Sequence, residues 1–73
     1  MNANLLSNLQ ALLDFHKVPS QLNLRAEYIS SNCDCDLSEI KYFLNGTGNL
    51  SKGVMRKLAD FFEVDVFWLL KKN

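Results

Sequence analysis

From Leu5 the apolar residues fall at Leu5, Leu6, Leu9, Leu12 and Leu13, the stripe of a helix with one buried face. Comparable spacing returns along the chain and no segment alternates as a strand does, which constrains the fold more than any other feature. One proline and three glycines leave the helices to be bounded mainly by side chains that cap or stop them. Asn4 reads as the cap of the first helix and Pro19 as its stop. The second helix is expected to open at Ser20 and run to about Ser31, with Leu22, Ala26 and Ile29 on one face and Leu24 and Tyr28 on a second, partly exposed edge.

Residues 30 to 36, Ser-Ser-Asn-Cys-Asp-Cys-Asp, are turn formers whose side chains compete with backbone hydrogen bonding. Asp36 followed by Glu39 reads as a capping box opening a third helix, with Leu37, Ile40, Phe43 and Leu44 inward and Gly46 just past its end. Neither flank of Asn45-Gly46-Thr47-Gly48-Asn49 alternates, so that stretch is a loop. Ser51 caps a fourth helix whose expected inner face is Val54, Met55, Leu58, Phe61 and Phe62, with Lys52, Arg56, Lys57 and Asp60 outside. Asp65 caps a short fifth helix, Val66 to Leu70, and Lys71 and Lys72 suit its negative end. The expectation is an all-α fold of five short helices forming a single domain over residues 1–73.

A chain this short needs nearly all of its 48% hydrophobic residues for one core, which leaves little material for a walled pocket. No enzyme activity and no cofactor are expected. No apolar run approaches the roughly 18 residues of a membrane span, and no Lys or Arg precedes Leu5 as a signal peptide requires. Cys33 and Cys35 stand one residue apart and cannot close a long loop, so a reducing, cytoplasmic setting is expected. His16 with these two cysteines falls short of the four-ligand sets of structural zinc, and no metal is expected. With no Lys or Arg close to them in sequence, the thiols are not expected to be activated.

The order of elements is that of small helix-turn-helix proteins, and particular residues sharpen the likeness. Ile40-Lys41-Tyr42-Phe43-Leu44-Asn45-Gly46 resembles the end of the recognition helix in the Cro and lambda-repressor type family, also called the xenobiotic-response-element family. The stretch from Leu50 to Asp65, with its Leu58-Ala59 pair and its Val64-Asp65 ending, looks like that family's fourth helix, and Trp68-Leu69-Leu70 is similar to its fifth. Pro19 to Gly46 is several residues longer than the family pattern, so the resemblance implies an expanded turn between helices 2 and 3, within Ser30 to Cys35.

The resemblance implies that helix 3 enters the major groove of double-stranded DNA and that the start of helix 2 holds phosphate. Carried onto this chain, the base-reading positions are Asp36, Leu37, Ser38, Lys41 and Tyr42. Ser38 can bond several base edges, Lys41 can reach guanine acceptors, and Tyr42 can bond phosphate or stack on sugar. Gln21, Lys52 and Arg56 are the expected phosphate contacts. Phe67, Trp68 and Leu70 are candidates for a homodimer interface, the other reading being that Phe67 and Trp68 fold back over helix 1.

Charge complicates this expectation. Eight basic and eight acidic residues cancel, but residues 1–36 carry two more acids than bases and residues 37–73 two more bases than acids. Asp34, Asp36 and Glu39 crowd the start of helix 3, where a carboxylate near phosphate costs Coulomb energy. They read either as capping residues or as an acidic patch for a protein partner. The two functions to be separated are a phage-type transcriptional regulator that binds DNA as a dimer, and an antirepressor or antitoxin-like module that masks another regulator's DNA-binding face.

Overall fold

A computed structural model describes residues 3–72, in which five helices and no strand are present. They are α1 (Ala3–Phe15), α2 (Leu22–Cys33), α3 (Leu37–Leu44), α4 (Lys52–Phe62) and α5 (Val66–Leu70). The all-α expectation therefore holds among the described residues, and none of these helices is long and apolar enough to cross a membrane.

The stripe on α1 packs as the spacing requires, with Leu5, Leu9, Leu12 and Leu13 all buried. Ile29, Ile40, Phe43, Leu58 and Leu69 bring the other four helices to the same core, each without exposed surface. α2 packs on α3 and α4, while α5 closes over α1 and α4. Interiors this tight make a buried Phe43→Ala change cost about 3–5 kcal/mol, so the core fixes where α3 can point.

Three N-terminal caps are those expected. The Asp36 carboxylate accepts from the Glu39 N–H at 2.9 Å, Ser51 Oγ from the Val54 N–H at 3.2 Å, and Asp65 from the Phe67 N–H at 3.0 Å. Gly46 is left-handed at φ 84°. The Gly46 N–H reaches the Phe43 carbonyl and the Thr47 N–H the Tyr42 carbonyl, a double closure that ends α3.

Other boundaries differ from expectation, each for a local reason. Asn4 lies inside α1 rather than capping it, since Ala3 before it is already helical. Pro19 does not stop α1, which ends four residues earlier at Phe15. There Lys17 turns left-handed at φ 60° and the Val18 N–H bonds the Leu13 carbonyl. Ser20 does not cap α2, because Gln21 holds the extended cap position and makes no side-chain cap bond. On α4, Phe61 is surface-exposed and Ala59 takes the buried place, because the inward face is centred on Leu58 and Phe62.

The expanded turn is also absent. α2 runs on to Cys33, and Asp34, Cys35 and Asp36 alone join it to α3. Ser30, Ser31 and Asn32 are helical despite their turn preference, because Ile29 and Cys33 are buried and hold that last turn against the core. Asp34 then supplies the left-handed residue, and the Cys35 N–H returns to the Ser30 carbonyl at 3.3 Å. The extra sequence length sits in the helix, leaving a tight helix pair.

Candidate nucleic-acid interface

α3 is aimed by its own amphipathicity. Burial of Ile40, Phe43 and Leu44 turns Ser38 and Tyr42 outward, with Lys41 half-buried beside them and Asn45 exposed at the helix end. Positions 38, 41, 42 and 45 follow the spacing of one helix face, so the exposed row is polar and continuous. Tyr42 is 65% exposed, and the chain after α3 steadies its backbone. Both the N–H and the Oγ1 of Thr47 donate to the Tyr42 carbonyl at 3.0 Å. The loop then passes close enough that a Cβ at Gly48 would lie 3.3 Å from the Tyr42 Cβ.

Gln21 is exposed at the start of α2, and its amide is not consumed in capping the helix it precedes. Lys52 and Arg56 are exposed on α4 but share an open groove with Met55, Val66, Phe67 and Leu70. The fold thus brings two expected phosphate contacts beside two expected self-association residues. Phe67 is 79% exposed and does not fold back, whereas Trp68 is half-buried and packs against the core with the Lys71 ammonium 5.7 Å from its ring centre. The fold-back reading therefore holds for Trp68, as far as contact with the core, and not for Phe67.

The three acids at the start of α3 have different employments. The Asp36 carboxylate caps α3. Asp34 ends α2 in the left-handed conformation, and its carbonyl accepts from Lys57 Nζ at 2.9 Å, pinning the α2–α3 turn to α4. Glu39 is half-buried on the first turn of α3.

Lys57 also reaches the thiols, a proximity that chain position did not reveal. Burial nevertheless pushes the Cys33 thiol up to about 11, with the charge of Cys35 adding to the rise and Lys57 opposing it. Burial likewise raises Cys35, against Lys57 and with help from Glu39 and Asp34. Neither thiol is an activated nucleophile. His16 packs between the Phe15 and Phe62 rings, at 5.4 and 5.2 Å.

Two buried polar residues set the frame around this face and have no signature in a hydropathy pattern. The Asn8 amide, fully buried on α1, donates to the carbonyls of Trp68, Leu69 and Lys71 at 2.8–3.1 Å, closing the C-terminal end of α5. Arg25, only 5% exposed, bonds the carbonyls of Gln10, Val18 and Pro19, the Gln10 side chain and the Asp14 carboxylate, and so fixes the α1–α2 connection that presents Gln21. A Gln, an Asp and an Arg at positions 10, 14 and 25 are ordinary surface residues to a sequence reading; only the bend at Lys17 makes them neighbours.

Family models, curated proteins and solved structures provide no match to this chain.

Proposed function

We propose that this protein is a small transcriptional regulator that reads double-stranded DNA with α3. The observation that supports the reading most is the three-residue turn Asp34–Asp36, which joins α2 to α3 as tightly as a helix-turn-helix requires and leaves Ser38, Lys41 and Tyr42 in one outward row. In this reading Ser38 and Lys41 contact base edges and Tyr42 contacts sugar or phosphate. Gln21 and Lys52, at the first turns of α2 and α4, hold phosphate. Copies joined at the α5 face, where Phe67 and Leu70 lie, set α3 helices into successive major grooves roughly 34 Å apart. The competing role as a mask for another regulator draws on Asp34, Asp36 and Glu39, and of these the Asp36 carboxylate is engaged in capping α3.

Selection of a target from random duplexes, followed by titration at several salt concentrations, tests the reading. Affinity should fall with salt at a log–log slope of roughly −2 to −4, as expected for a few phosphate contacts. Lys41→Ala should weaken the selected site by about five-fold or more, from roughly 1–3 kcal/mol per base contact, with little change in melting temperature. A folded protein that binds no duplex at low salt, or binds independently of salt, would sink the proposal.

A further inference from the structure

The two ends of α3 differ in charge and in how far their polar groups are already committed. Its first turn is acidic, with Asp36 as the cap, Glu39 in the turn itself and exposed Asp34 just before them. Lys57, at the Asp34 carbonyl, offsets one of these charges. The last turn carries Lys41 and no acid. Brought against a duplex, the half of α3 that holds Ser38 sets carboxylates toward phosphate, whereas the other half brings a cation.

Asn45, which closes the outward row, has no structural employment. An asparagine at a helix end is commonly explained by a left-handed backbone or by a side chain that satisfies the open carbonyls. Neither holds here. Asn45 is right-handed at φ −81° and ψ −2°, and Gly46 takes the left-handed place at φ 84°. The carbonyls of Lys41, Tyr42 and Phe43 accept from the backbone N–H groups of Asn45, Thr47 and Gly46, each at 3.0 Å, and Thr47 Oγ1 donates a second bond to the Tyr42 carbonyl. The Asn45 side chain is exposed and bonds no other described residue. Its backbone is held all the same, because the loop beyond it passes so close that a Cβ at Gly48 would lie 3.3 Å from the Tyr42 Cβ and 3.5 Å from the Phe43 nitrogen. A free carboxamide on a fixed backbone suits a bidentate contact to adenine in the major groove, its NH2 donating to N7 while its oxygen accepts from the N6 group.

We infer that α3 reads DNA through its C-terminal half, with Asn45 contacting an adenine, Lys41 and Tyr42 alongside it, and Ser38 at the margin of the footprint. The inference rests on the proposal that α3 enters the major groove, and it adds which end of the helix lies deepest. Lys41 and Tyr42 stand four and three residues before Asn45, the separations of neighbours on one helix face, whereas Ser38 is two turns away, about 10 Å along the axis.

Selection from random duplexes with the wild type, Asn45→Ala, Asn45→Asp and Ser38→Ala tests it. The wild type should select a site containing an adenine that Asn45→Ala no longer prefers, with the other positions kept. Affinity for the wild-type site should fall about five-fold or more in Asn45→Ala and under about two-fold in Ser38→Ala. Because Asn45 is uncharged, its removal should leave the salt slope and the affinity for unrelated duplex unchanged. Asn45→Asp should move the same position from adenine to cytosine, whose N4 group donates to a carboxylate. Thermal melting read by circular dichroism checks that each variant is folded. An unaltered selected site in Asn45→Ala, or a larger loss in Ser38→Ala than in Asn45→Ala, overturns the inference and leaves the proposed function standing. A wild type that selects no duplex overturns both.

Discussion

Lys17, Asp34 and Glu63 occupy the left-handed region at φ 54–60°, although none is a glycine. Each ends a helix, and in each case the backbone conformation is imposed by the next segment returning to the core. The Val18 and Val64 amides reach back to the Leu13 and Ala59 carbonyls at 2.9 Å. A side chain in this region costs about 1–2 kcal/mol, part of which glycine gives back through its more flexible unfolded state. Lys17→Gly should therefore stabilise the fold by about 0.5–1 kcal/mol and raise the melting temperature by roughly 3–6 °C, read by thermal denaturation. Burial of Cys33 sets a second expectation at this scale. Its thiol rises from 9.0 to about 11 in the fold, so the unfolded chain loses that proton first as pH rises. The stabilisation is complete below pH 9 and disappears as pH climbs through about 11, a loss of roughly 1–3 kcal/mol. Denaturant titrations at pH 8, 9, 10 and 11 should show wild-type stability falling more steeply than that of Cys33→Ala, and parallel curves would refute the assignment.

At the scale of elements, the starts of α3, α4 and α5 were legible and the ends of α1 and α2 were not. Asp36, Ser51 and Asp65 cap through side chains acting on amides two or three residues away, an interaction contained in local sequence. The ends of α1 and α2 depend on distant packing, which is why Pro19 misled and why Ser30 to Asn32 read as turn while folding as helix. The polar row on α3 was likewise legible from its own spacing, whereas the meeting of Lys52 and Arg56 with Phe67 and the exposure of Phe61 depend on how α4 rotates against α2 and α5. Asn8 is the sharpest case. Within α1 it interrupts an apolar stripe, yet its amide serves carbonyls some sixty residues later. Asn8→Leu keeps the branched heavy-atom outline and removes the donors, stranding the end of α5. It should cost about 2–4 kcal/mol and lower the melting temperature by 10 °C or more, and a change under 1 kcal/mol would show that water replaces the amide without penalty.

Over the whole molecule, a net charge of zero is a balance that includes cations along the α4–α5 groove and acids at the start of α3. In the proposed reading Lys52 of that groove attracts phosphate and the acids at the start of α3 repel it. Asp36 must remain, because α3 loses its cap without it. The Asp34 carboxylate can be changed without touching the contact to Lys57, which goes to the Asp34 backbone carbonyl. Glu39 takes part in the cap through its backbone amide, so its side chain can also be neutralised. At roughly 8–10 Å from phosphate in a largely aqueous setting, each removed negative charge is worth about 0.3–0.5 kcal/mol, reduced further by salt. Asp34→Asn with Glu39→Gln should therefore tighten duplex binding about three- to five-fold at low salt, and the gain should shrink as salt approaches 0.5 M. If α3 instead serves a protein partner through these acids, the same pair of substitutions abolishes capture of that partner and leaves duplex affinity unchanged. Measuring duplex affinity for the double variant against wild type at two salt concentrations separates these roles on the same α3 face.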